Sequence, residues 1–213
     1  GTFGQVWRDK LMKWNGVVMQ YDSIGNMTKK GNTTFTWTQG RKLESVNNGK
    51  KIRYYYDHAG NRVKKTVDNV TTEYCMAGDL LVTEKGEGRR IWYYYDSAAN
   101  PVSMRVSGKD YFYVRNLQND VIALIDDTGE TVVEYKYNSW GKILSITGSK
   151  AGTIGKTNPF RYRGYYYDEE TGMYYLKNRY YDPEIRRFIS ADSYISGFNS
   201  TMCNVFCYCG NNP

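Results

Sequence analysis

The chain has 213 residues, enough for one large domain or two small ones, and 29 Lys and Arg against 22 Asp and Glu give a net charge of +7. The longest apolar runs, such as Val121 to Ile125, are too short for a membrane-spanning helix. Tyrosine occurs 22 times and proline four, a composition that argues against a helical bundle and for pleated, half-buried strands.

Residue 1 is Gly, and no basic-then-apolar leader follows it, so no signal peptide is visible; a piece of a longer polypeptide accounts for both features. Arg8 to Trp14 is one of two short stretches with weak helical character. A repeat then begins, of the form aromatic-Asp-x-x-Gly-Asn. Tyr21-Asp22-Ser23-Ile24-Gly25-Asn26 and Tyr56-Asp57-His58-Ala59-Gly60-Asn61 fit it fully, and Tyr95 to Asn100 has Ala99 in place of Gly. Weaker copies start at Trp37, Tyr74, Tyr113, Tyr137, Tyr167 and Tyr181. The nine starts run from 21 to 181, a mean step of 20 residues.

Each part of the unit has a physical task. In Tyr54-Tyr55-Tyr56 the first and third rings face one way and the second the other. Asp opens a turn by accepting the N–H two residues on; Gly supplies a positive φ, and the following Asn tolerates one. The chain returns as a strand, as in Arg62 to Val67. This predicts an all-β fold, with consecutive antiparallel hairpins joined into one curved repeat sheet and Gly25, Gly60, Gly129 and Gly172 in turns. Residues 1–144 form the repeat sheet. Ser145 to Asn158, rich in Gly, Ser, Thr and Lys, reads as a loop or excursion, and 159–213 as a distinct C-terminal unit.

Basic doublets such as Lys29-Lys30, Arg41-Lys42, Lys64-Lys65 and Arg186-Arg187 recur between strands. They read as solvated turn and edge residues, with an anion- or nucleic-acid-binding groove as the alternative. Cys75, Cys203, Cys207 and Cys209 read as small buried thiols. His58 is the single histidine, so no fourth ligand for a zinc site is at hand: metal none, cofactor none. Ser193 to Met202 is the second short helix candidate.

The run from Pro159 through Tyr165-Tyr166-Tyr167-Asp168, Glu169-Glu170-Thr171-Gly172, Met173 to Tyr181 and Asp182-Pro183 reads as a strand, a turn, a strand to Tyr181 and a second tight turn. Its Arg residues and carboxylates read as cross-strand ion pairs. This run, with Ser190-Ala191-Asp192 and the ending Tyr208-Cys209-Gly210-Asn211-Asn212-Pro213, resembles the Rhs repeat-associated core, and the upstream units resemble YD repeats of the same family. The resemblance implies a segment of a hollow β-cocoon that encloses a C-terminal effector, often a toxin, with the core closing one end. It implies a secreted or cell-surface protein whose partners are the remainder of its own polypeptide and the effector cargo. It also implies self-cleavage beyond Pro213 with Asp192 as a candidate catalytic aspartate, although Ser193 stands where the family has Pro. Asp22, Gly25, Asn26, Asp57, Gly60, Asn61, Asp168, Gly172, Asp182 and Pro183 are assigned to the repeat turns. The alternative function is a surface glycan-binding module with outward-facing aromatics. An enzyme acting on an external substrate finds no motif here. An open sheet also needs its aromatic face covered, by self-association, a separate chain or the rest of the polypeptide.

Overall fold

The computed structural model describes residues 1–4, 8–192 and 204–213. It consists of two antiparallel sheets. The outer sheet has sixteen strands in strict chain order. They are β1 (Thr2–Phe3), β2 (Leu11–Trp14), β3 (Val17–Tyr21), β4 (Met27–Lys30), β5 (Thr33–Thr38), β6 (Lys42–Asn47), β7 (Lys51–Tyr56) and β8 (Arg62–Val67). β9 (Val70–Ala77), β10 (Leu80–Gly86), β11 (Arg89–Tyr95), β12 (Pro101–Val106), β13 (Lys109–Arg115), β14 (Val121–Asp126), β15 (Thr131–Tyr137) and β16 (Ile143–Thr147) complete it. The inner sheet has four strands, β17 (Tyr166–Asp168), β18 (Met173–Leu176), β19 (Arg179–Asp182) and β20 (Arg187–Phe188).

Two kinds of turn alternate along the outer sheet. At one edge lie two-residue turns with positive φ at both corners, such as Asn15-Gly16, Glu87-Gly88 and Ser107-Gly108, whose twist matches that of the flanking strands. At the other edge lie the repeat loops, except that of Asp126, which joins β14 to β15. Asp96 shows their chemistry: its Oδ1 accepts the backbone N–H of Ala98 and Asn100, each at 2.9 Å, while its own N–H donates to the Asn100 carbonyl. Asp22 and Asp57 close their loops in the same way, and Asn116 and Asn138 replace Asp without changing the pattern. The Asn of the motif has a task other than the expected one. Its φ is not positive; it donates its backbone N–H and its side-chain amide to the Asp, as Asn26, Asn61 and Asn100 all do. The repeat aromatic explains the regular step. The Tyr21, Tyr56, Tyr95 and Tyr137 hydroxyls donate to the carbonyls of Leu11, Leu43, Leu81 and Val121, and the Trp37 indole to Met27, so these five units each fasten the strand of the unit before it.

Some local expectations fail. Arg8 to Trp14 is not helical: Leu11–Trp14 is strand, because Leu11 is needed in the core and β3 supplies a pairing edge. Ser193 to Met202, and Cys203, lie outside the described residues. β16 runs through Thr147, three residues into the expected excursion, before the single-turn π-helix Ala151–Gly155. Met173 to Tyr181 is two strands, folded back at Lys177-Asn178, where Lys177 has φ 53°. Cys75 and Cys209 are exposed; Tyr74 and Met76 point inward, so alternation turns Cys75 out.

The inner sheet occupies the aromatic face of the outer one. Phe160 and Tyr166 join a core with Tyr74, Tyr93, Met104, Leu124 and Tyr135, while Met173, Tyr180, Ile185 and Ile189 join a second with Leu11, Met19, Phe35, Ile52 and Tyr54. The cover that an open sheet requires is therefore supplied by this chain itself. The outer sheet must also curl. Tyr181 donates to the Trp140 carbonyl beyond β15, and its neighbour Asp182 pairs with Lys30 on β4. In a flat sheet those strands would stand about 50 Å apart.

Candidate functional site

The most concentrated chemistry lies between the two sheets. β8 pairs with β7 so that Arg62 faces Tyr56 and Lys65 faces Tyr54. Tyr54 is in the core, so both cations are turned inward as well. Lys65, expected to be a solvated edge residue, is 6% exposed. Across the interface β17 brings in Asp168, which is fully buried. Its two oxygens accept from the Arg62 guanidinium and, at 3.1 Å, from the Lys65 ammonium, which also reaches Glu170 at 2.9 Å. The rings of Tyr54, Tyr74, Tyr166 and Tyr175 surround the Arg62 guanidinium with centroids 4.4–5.3 Å away.

Electrostatics separate two carboxylates here, Asp168 fully buried and Glu84 half-buried. Burial acts to raise the Asp168 pKa, but Arg62 and Lys65 outweigh it and hold the carboxyl below its ordinary range. Glu84 on β10 accepts from Tyr166 at 2.9 Å and Tyr93 at 3.2 Å, yet burial dominates and its pKa is raised. Burial likewise pushes the Tyr74 hydroxyl up to about 12, so the cage stays neutral at physiological pH. The arrangement is a charge lock: it fixes the register of the inner sheet against the outer one.

The assigned turn residues divide into groups. Asp22, Gly25, Asn26, Asp57, Gly60 and Asn61 sit in repeat loops. Gly172, with φ 70°, closes the turn after β17. Asp168 opens that turn through its carbonyl, but its carboxylate belongs to the lock. Asp182 accepts the Glu184 N–H beside Pro183 and also pairs with Lys30. The acidic groups of the C-terminal unit thus pair largely across the two sheets rather than across strands of one. Asp192 sits apart from the lock, in a cleft of about 790 Å³ that includes Arg41, Lys42, Asn178 and Arg179. Its carboxylate is 2.9 Å from Arg179, and Arg41 donates to the Ala191 carbonyl at 2.8 Å. Asp182 and Asp192 are held by different cations. Among the described residues no cluster of His, Cys, Asp or Glu could hold a metal, and no helix is long and apolar enough to cross a membrane.

Sequence reasoning missed Arg62, Lys65 and Glu84. A signal existed: the strand partners of inward-facing Tyr54 and Tyr56 must themselves face inward. Of the aromatics, Tyr54, Tyr74, Tyr93, Tyr111 and Tyr135 are buried, while Trp92, Tyr94 and Phe112 are exposed on the outer face.

This architecture has known counterparts. Over 214 residues the chain is 38% identical to the tRNA nuclease WapA of Bacillus subtilis, matching 96% of this chain and 9% of that protein. It is 27% identical over 229 residues to the double-stranded DNA deaminase toxin A of Burkholderia cenocepacia, matching 89% of this chain and 16% of that one. Among solved structures, the TcdB2-TccC3-Cdc42 crystal structure superposes with a TM-score of 0.74 at 19% identity, over 90% of this chain and 10% of that chain. The chain spans a small part of the length of each. The family model described as the Teneurin YD-shell matches residues 7–213, and the chain belongs to that family of YD-repeat proteins.

Proposed function

We propose that this chain is the closing segment of a YD shell: it ends the shell wall, folds its last residues inward as a plug, and so encloses an effector carried on the same polypeptide. The observation that carries this reading is the inner sheet seated on the aromatic face of the outer one. The inner sheet packs into both cores of the outer one, which suits a plug rather than a chamber, and the Asp192 cleft, about 790 Å³, is of small-molecule size. The toxin and nuclease relatives, far longer than this chain, fit an effector located elsewhere on the polypeptide. Residues 159–213 are the core unit, and the location is secreted or cell-surface. Inward packing of most tyrosines favours a shell over a glycan-binding module. Self-cleavage beyond Pro213 remains assigned to Asp192, which borders an open cleft.

The test is protease protection in the full-length protein. The effector should resist digestion when the lock is intact and become cleavable in an Asp168→Asn variant whose outer sheet persists by circular dichroism. An effector digested equally fast in both proteins would overturn the plug.

A further inference from the structure

Among the described residues the ends of the outer sheet are not hydrogen-bonded to each other; the sheet is an open strip from β1 to β16. Its two ends nevertheless meet on one short turn of the inner sheet. Arg186 lies with its guanidinium 5.6 Å from the Trp14 ring, at the end of β2, and 5.4 Å from the Trp140 ring, in the loop after β15. On one side of it, Arg187 donates to the Asp9 carbonyl and Asp182 pairs with Lys30. On the other, Glu184 pairs with Lys142 at 2.8 Å.

We propose that the turn Asp182–Arg187 is a strap that fastens the first strands of the outer sheet to the last ones, with Arg186 as its bridging side chain, and that its release is the step by which the strip uncurls along this seam. Two observations set Arg186 apart. It joins strands thirteen places apart in the sheet order without a single strand-to-strand hydrogen bond. It also holds φ 61°, a left-handed conformation in which a β-carbon is strained and glycine is favoured. A residue that mattered only as a corner would be better as glycine; the side chain compensates for the strained backbone by reaching two aromatic faces at once. The strap lies on the inner sheet, so the same segment that fills the core decides whether the rim is shut.

Hydrogen exchange of the chain, read by mass spectrometry, tests this. Arg186→Gly relaxes the backbone while removing the bridge. Exchange should then rise about tenfold, the equivalent of two exposed cation–π contacts, in both 11–21 and 138–147, with 51–66 and 89–95 unchanged. Trp14→Leu should raise exchange in 138–142, across the seam and far from it in the sheet order. Equal or slower exchange everywhere in Arg186→Gly, or a Trp14→Leu effect confined to 11–21, would overturn the strap. A uniform rise over the whole chain would also overturn it, because it would mark Arg186 as a general stabiliser.

Discussion

Asp168 shows how much can depend on one atom pair in a dry interface. It is fully buried with Arg62 and Lys65, so replacing it by Asn leaves two cations without their main counter-charge. The expected cost is about 3–5 kcal/mol, measured by denaturant unfolding at neutral pH. The pH dependence follows from the direction of each shift. Asp168 has its folded pKa depressed, so its stabilisation is complete above the ordinary carboxylate range and is lost as pH falls through the depressed value. Glu84 has the opposite sign. Its folded pKa is raised, so stability increases as pH falls through that raised value towards the unfolded one. The stability curve should therefore rise on mild acidification and collapse in stronger acid. Glu84→Gln should abolish the rise and leave the collapse; a rise that persists in that variant would clear Glu84 of any role. None of this was visible in composition. Basic doublets look alike in a sequence, and only the strand register shows that Lys65 is buried while Lys64 stacks outside on Tyr55.

At the scale of the element, the repeat loop was the most legible feature. Tyr21-Asp22 and Tyr56-Asp57 predicted strand, turn and strand because short-range chemistry closes the loop: the carboxylate, the positive φ and the amides lie within five residues of each other. The position three after the Asp tests this reading. It is Gly25, Gly60, Gly129 and, after Asn138, Gly141 in four loops, with φ of 80–90°, but Ala99 in another, with φ 63°. A left-handed alanine costs about 1–2 kcal/mol, partly offset by the extra freedom glycine has when unfolded. Ala99→Gly should thus stabilise by about 1 kcal/mol, seen as a higher unfolding midpoint at unchanged slope. Loss of stability would mean that the Ala99 methyl, which borders a 380 Å³ pocket, makes a packing contact of greater value. Elements without such local chemistry were harder to read. Lys177-Asn178 carries no glycine, so the fold-back between β18 and β19 left no mark in the sequence.

For the whole molecule, consecutive hairpins were legible because every outer strand pairs with its neighbours in the chain. The inward return of 159–192 was not, because its contacts join residues far apart in sequence and periodicity carries no information at that range. Lys30 and Asp182 are 152 positions apart, and Arg187 and Asp9 are 178 apart. Those separations matter during synthesis. A ribosome emits the strands in order, and each hairpin can form within moments of its appearance, but the inner sheet that covers the tyrosine-lined side of the strip emerges only with the segment beyond residue 159. At about 5–20 residues per second, the earliest strands wait on the order of ten seconds for their cover. Over that interval the nascent strip is at its most adhesive, and the loops that tie each unit to the last hold it in register until the final segment arrives.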